Sequence, residues 1–263
     1  MSARTSALAT LRGQIERIEM SDAAHHRDRV ALGHPEADSA LQGGLARAAI
    51  HEVFCAGFQG TAATGFVTGL ASRVTARRPL LWVRQDFSEV EAGALSMNGL
   101  AELGLDARRV VMVRAADVES ALRTAADALV CDALGAVVLE LWGETKQFDL
   151  VASRKLTLAA QASGVTGLLL RMAAQPLPST AETRWMLRTA HSPPGAMWSA
   201  WGAPRFDAEL VRNRHGPVGR WIMEWKCDEC LFSEPSAYPQ PVAAAPAHRP
   251  HQAPFVGERR RAG

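Results

Sequence analysis

Apolar positions along the chain follow two periods. Near the N-terminus, Leu8, Leu11, Ile15 and Ile18 recur at helical spacing and fall on one face of a short helix. Such a stripe either docks on its own domain or meets a partner, and the docked reading is preferred. Residues 21 to 34 are polar and His-rich and read as a linker. From Ile50 onward, strand-length apolar runs alternate with helical stretches. "IHEVF" (Ile50 to Phe54) predicts a first strand, followed by a glycine-rich turn and a helix to about Val74. "RPLLWVR" (Arg78 to Arg84) predicts a second strand, with a helix from about Ser88 to Leu103. "RRVVMVR" (Arg108 to Arg114) predicts a third, and the helix after it places Val118, Leu122, Ala125 and Leu129 on one face. "GAVVLEL" (Gly135 to Leu141) is continuously apolar, as in a strand of a buried parallel sheet. A helix from about Leu150 to Ser163 and a fifth strand, "VTGLLLRM" (Val165 to Met172), complete the series. Strands alternating with helices at this spacing predict βαβ crossovers: an α/β fold, doubly wound and mostly parallel, with helices on both faces.

The pattern changes after Gln175. "QPLPSTAE" predicts a loop. "FDAELVRNR" (206 to 214) and "RWIMEWK" (220 to 226) flank "HGPVG", whose Gly and Pro residues are turn chemistry; this predicts a C-terminal antiparallel hairpin closing the sheet. Trp221, Met223 and Trp225 alternate onto one face of it. With Trp198 and Trp201 these tryptophans either fill the core, the preferred reading, or form a base-stacking platform. Six of the 14 prolines follow residue 233, interleaved with Ala, so the end of the chain reads as a disordered tail. The expected organisation is an N-terminal helix and linker (1–31), a core (32–232) and the tail (233–263).

Composition changes this picture little. A net charge of +2 does not announce a nucleic-acid binder. Cys55 and Cys131 read as small buried residues. Cys227 and Cys230 form a lone C-x-x-C with no second ligand pair in view, so no metal is expected there. No disulfide framework is implied, and no apolar run reaches the length of a membrane span or a signal-peptide core, which predicts a reducing cytoplasm.

Gly60 and Gly65 carry the G-x-x-x-x-G spacing of a phosphate loop, between a strand and a helix. Such a loop uses backbone N–H groups and a helix N-terminus around phosphate, a Lys on the β and γ phosphates, and a Ser or Thr on Mg²⁺. With Gly65 as the last glycine, the Lys and Ser/Thr positions hold Phe66 and Val67. With Gly60 last, they hold Thr61 and Ala62, and the first glycine becomes Cys55. Both registers lose the Lys, and the next Lys along the chain is Lys146. Gly57, Gly60, Thr61 and Gly65 therefore outline a degenerate loop, and ATP with Mg²⁺ is a doubtful ligand for it. Glu140 ends the fourth strand, where a metal-orienting acid stands in sheet NTPases. Asp86 follows the second, where a water-activating acid could stand. For Asp86 the preferred reading is an acid at a strand end returning to solvent; for Glu140 the two readings are level.

The order of these parts resembles the RecA recombinase core. The stretch "GLAELGLDARRVVMVRAADVESALRTAADALVCDALGAVVLELWGE" runs helix, turn, strand, helix and acid-bearing strand in the same sequence. The stretch "LGHPEADSALQGGLARAAIHEVF" resembles the segment leading into the phosphate loop, with Ala48 where a Gly is usual. "IHEVF" before a loosened loop, "TGF", and "LVRNRHGPVGRWIMEW" are most similar to the ImuA family, RecA-like proteins of DNA-damage-inducible mutagenesis cassettes. The resemblance implies a RecA-like fold and a non-hydrolysing accessory role after the SOS response. Its implied partners are ImuB, a catalytically dead relative of lesion-bypass polymerases, and an error-prone replicative-type polymerase, with RecA and single-stranded DNA as further candidates. In the RecA core, loops after the fourth and fifth strands face DNA. Here those are residues 142 to 149 and 175 to 184, which makes Lys146, Arg154, Lys155 and Arg184 the cations to examine, against a reading as ordinary solvated surface. The alternatives are a DNA-dependent ATPase with a displaced cation and a SulA-like inhibitor of cell division.

Overall fold

The computed structural model describes residues 28–192 and 202–235. The Leu8, Leu11, Ile15 and Ile18 stripe, Trp198, Trp201 and all but the first three residues of the expected tail lie outside them. Strands β1 (Arg29–Val30) and β2 (Leu45–Ala46) form a small antiparallel ribbon around helix α1 (Pro35–Ala40). The remaining strands are β3 (Ile50–Cys55), β4 (Leu80–Gln85), β5 (Val110–Ala115), β6 (Ala136–Trp142), β7 (Thr166–Met172), β8 (Thr183–Thr189), β9 (Arg205–Asn213), β10 (Gly219–Lys226) and β11 (Leu231–Ser233). They make one nine-stranded sheet in the order β11-β10-β9-β8-β3-β7-β6-β4-β5. From β5 across to β8 every pairing is parallel; from β8 to β11 every pairing is antiparallel. This is the mostly parallel, doubly wound sheet with a C-terminal antiparallel hairpin that the periodicity predicts.

Helices cover both faces. Helix α2 (Gly60–Thr75) buries Ala63, Phe66, Val67 and Leu70 against Val53, Val138 and Leu170 on one face. Helices α5 (Val118–Leu129) and α6 (Leu150–Ser163) bury Ala121, Ala125, Leu129 and Leu156 against Val137, Leu139 and Leu169 on the other. The period of two along each strand divides the residues between the layers. Asp117 and Asp149 cap α5 and α6 by accepting N–H groups of their first turns, and Gly164 ends α6 in the left-handed region. Among the described residues no helix is long and apolar enough to cross a membrane.

Several elements depart from the sequence reading. The helix expected from Ser88 to Leu103 is two short ones, α3 (Asp86–Ala92) and α4 (Met97–Glu102), separated at Gly93 with φ +77°. Residues 28–34, read as linker, carry β1 and bury Leu32 completely, with Asp38 accepting from the Leu32 and Gly33 N–H groups. The sequence reading has a loop to residue 184 and no strand after it; β8 occupies Thr183–Thr189, with Thr183, Trp185 and Leu187 facing the core and Arg184, Met186 and Arg188 facing the other way. The turn after β10 continues into β11, another element absent from the sequence reading. Cys131 is exposed, unlike Cys55, because it follows the last turn of α5 at the surface. The hairpin tryptophans are core: Trp225 is fully buried and Trp221 packs against the same cluster.

Two small residues set opposite expectations. Ala48, standing where the resembling segment has Gly, is held at φ +52°. Ala48→Gly should raise stability by about 1 kcal/mol, the left-handed strain less the entropy of glycine. Gly69 lies inside α2, where an added Cβ would meet Phe232 Cζ at 2.7 Å and Trp225 Cε3 at 3.0 Å. Gly69→Ala, which an exposed helix would welcome, should cost about 1–3 kcal/mol through overpacking. Urea unfolding of the two variants beside the wild type reads both signs in one experiment.

Candidate functional site

The connection from β3 to α2 is short. Ala56 is extended, Gly57–Gln59 form one 3₁₀ turn, and the α-helix begins at Gly60. Gly65 is thus a helical residue, and the Gly60–Gly65 spacing lies within α2 rather than around a loop. The register that coincides with the strand, turn and helix is Cys55 to Gly60, which puts Thr61 at the lysine's position and Ala62 at the hydroxyl's. Thr61 is exposed in the first turn of the helix.

The underside of this turn is packed with side chains. A Cβ on Gly57 would meet Trp142 Cζ2 at 3.2 Å, and one on Gly60 would meet Met172 Sδ at 3.3 Å. Gly65 lies against the Phe206 ring, 3.3 Å from where a Cβ would stand. The glycines here admit neighbouring side chains closely. Gln59 ties the turn sideways by accepting the Thr189 N–H of β8. Phe58, at the tip, is 87% exposed.

Beside the turn, a cavity of about 240 Å³ opens between the first turns of α2 and the segment after α3, lined in part by Gly60, Thr61, Thr64, Arg84, Gly93 and Ser96. Arg84 is the cation that folding brings to this place, and sequence reasoning missed it. Its signal was a charged residue near the end of an otherwise apolar strand, paired in register with Glu140. Arg84 Nε donates to Glu140 Oε1 at 2.8 Å, Nη1 to the Gly93 carbonyl at 2.6 Å, and Nη2 to the Ser88 carbonyl at 3.2 Å. Glu140 also accepts Trp82 Nε1 at 3.0 Å and is fully buried. Burial pushes the Glu140 carboxyl up, and Arg84 and Trp82 offset part of that. Neither of its oxygens is turned to solvent as a metal-side acid requires, and the acid anchors Arg84 instead.

The other expected residues scatter. Asp86 opens α3 on the surface, with Arg114 Nε 2.9 Å from its Oδ1. Lys146, Arg154 and Lys155 are exposed on the segment after β6 and on α6. Arg184 corrects its expectation: it is 9% exposed, donates to Glu52 at 2.8 Å, and also reaches the Leu177 carbonyl and Ser179 Oγ. A guanidinium so committed is not the solvated surface cation that the expectation described. Cys227 and Cys230 flank the turn between β10 and β11, and among the described residues no group of three or more His, Cys, Asp or Glu side chains could hold a metal ion.

No protein-family model matches the chain. Two curated relatives do, both called Protein ImuA, from Caulobacter vibrioides strains NA1000 / CB15N and ATCC 19089 / CIP 103742 / CB 15. Each is 32% identical over 211 residues, covering 74% of this chain and 82% of the relative. The chain belongs to the ImuA family. The match and the fold agree with each other, since the doubly wound sheet is the RecA-like architecture that the resemblance implied.

In this ImuA-family chain, the Arg84–Glu140 pair gives the site a measurable dependence. Glu140→Ala should destabilise by about 3–5 kcal/mol, because it leaves a buried guanidinium uncompensated. Combining it with Arg84→Met should recover most of that loss, since a buried pair replaced by apolar groups is close to neutral. Chemical denaturation of the single and double variants gives the coupling.

Proposed function

We propose that this chain is a non-hydrolysing, RecA-like accessory protein of DNA-damage-induced mutagenesis. It acts in the cytoplasm with an ImuB-type polymerase homologue and an error-prone replicative-type polymerase in translesion synthesis. The observation that carries the reading is the β3–α2 turn, in a chain whose relatives are named Protein ImuA. Thr61 and Ala62 stand where phosphoryl chemistry needs a Lys and a hydroxyl. Trp142 and Met172 crowd the turn from beneath. The acid that would orient a metal, Glu140, is spent on Arg84 and Trp82. The fold does not need a phosphate to stand, because strand pairing and the two core layers hold it. A RecA-like body of this kind serves as a docking platform for partners.

One observation favours a second reading. Arg84 lines the cavity beside Thr61, so a DNA-dependent ATPase would draw its displaced cation from there. Three of its N–H groups are already committed, which argues against that use. A SulA-like inhibitor of cell division is the remaining alternative, and its target would be the division GTPase.

The test is titration of the purified protein with a fluorescent ATP analogue and Mg²⁺, a hydrolysis assay with and without single-stranded DNA, and affinity capture with tagged ImuB-type protein. We expect no saturable nucleotide binding at millimolar concentration and retention of the ImuB-type partner. Turnover stimulated by DNA and lost in Arg84→Met would establish the ATPase. Capture of the division GTPase in place of the ImuB-type protein would establish the inhibitor.

A further inference from the structure

Arg171 lies on β7, between Leu170 and Met172, on the sheet face opposite α2. It is 2% exposed. Its guanidinium carbon stands 4.9 Å from the Phe148 ring centroid and 5.7 Å from that of Phe54. Nε is sealed from solvent and has no acceptor. No side-chain hydrogen bond or ion pair joins the Arg171 guanidinium to another described residue.

Arg184 makes the contrast. Its guanidinium lies 5.7 Å over the same Phe54 ring, yet it is satisfied by Glu52, Ser179 and the Leu177 carbonyl. The buried groups here are therefore two guanidinium ions and one carboxylate, Glu52, which Arg184 already engages. Glu144, the other acid that acts on Arg171, is exposed on the segment leading to Phe148. The interior is left with one positive charge in excess. Burial lowers the Arg171 pKa; Glu52 and Glu144 oppose that, and Arg184 adds to it.

A buried charge without a hydrogen-bonded partner is strongly unfavourable, and ring faces compensate only part of it. A structural role alone would be met as well by an apolar side chain of similar length. Arg171 is near the carboxyl end of a parallel strand, between the segment 143–149, which carries Phe148, and the segment 173–182, whose Leu177 carbonyl and Ser179 hydroxyl accept from Arg184. Ligands of doubly wound sheets bind at that end. A planar guanidinium held between two rings presents its fork in a fixed orientation, and the fork matches a phosphate.

We propose that Arg171 is the receiving group of an oxyanion site for a phosphate, with Phe54 and Phe148 fixing the plane of its guanidinium. The site is separate from the β3–α2 turn, which packs against Trp142, Met172 and Ala173. It does not depend on the accessory reading. The phosphate comes either from a free ion or from a nucleic-acid backbone, and both have the same chemistry at Arg171.

The experiment follows the melting temperature of the full chain in phosphate-free buffer as sodium phosphate, pyrophosphate or oligothymidylate is added, with sodium chloride at matched ionic strength as the reference. The variants are Arg171→Met and Arg171→Lys, each checked for native near-ultraviolet circular dichroism. We expect one of the phosphate probes to stabilise the wild type beyond chloride. Arg171→Met should lose that response while melting no lower than the wild type in the anion-free buffer. Arg171→Lys should keep the fold and need about tenfold more anion, having charge without the fork. A response to oligothymidylate at far lower phosphate equivalents than to the free ions identifies a nucleic-acid backbone; a response to the free ions alone identifies a small phosphate. A wild type that responds no more than it does to chloride overturns the proposal. So does an equal response in wild type and Arg171→Lys, which would put the anion elsewhere. Should Arg171→Met fail to fold, the Arg171→Lys comparison decides.

Discussion

Phe66 projects from α2 into a group of rings that belongs to the other half of the molecule. Its centroid is 5.6 Å from Trp185 on β8, 5.7 Å from Phe206 on β9 and 5.1 Å from Phe232 on β11. Phe232 in turn lies 4.7 Å from Trp225 on β10. These tilted and edge contacts bind one helix of the parallel half to every strand of the antiparallel half. The position of α2 fixes the turn before it, and the small residues Gly65 and Gly69 let the helix settle close to Phe206 and Phe232. The glycine-rich helix that reads as a nucleotide signature is thus also a packing requirement of the aromatic cluster.

That double meaning explains which parts of the fold were legible. Five of the six parallel strands, β3 to β7, and α2, α5 and α6 follow from apolar runs whose period the sequence states openly. The break in the helix at Gly93 was hidden, because helical spacing continues across it from α3 to α4. Strand β8 was hidden for a different reason. Its outward positions hold Arg184 and Arg188, and an arginine beside a proline-containing loop reads as surface. Only the register Glu52↔Arg184 with β3 shows that Arg184 is inside. The small ribbon of β1 and β2 depends on Asp38 and on contacts with β11, a pairing far apart in sequence.

The candidate site was legible in outline and illegible in its chemistry. The loss of the lysine could be read directly from Thr61 and Phe66 in the two registers. What the acid at Glu140 does could not, since its partners Trp82 and Arg84 come from another strand. A carboxylate at a strand end has the same appearance in sequence whether it faces a metal, a guanidinium or water. Long-range pairing decides among these, and no spacing rule encodes it.

The two faces of the sheet treat buried arginine differently, and the difference carries meaning. On the α2 face, Arg84 donates to a carboxylate and two carbonyls, so its charge is compensated within the fold. On the α6 face, Arg184 takes the available carboxylate and leaves Arg171 with rings only. Folding alone favours the first arrangement, because a low-dielectric interior penalises each uncompensated charge. The second persists in the same sheet, a few residues from a strand end where the chain meets solvent. An asymmetry of this kind follows if the face that carries Arg171 receives an anion, as the proposal for that residue requires.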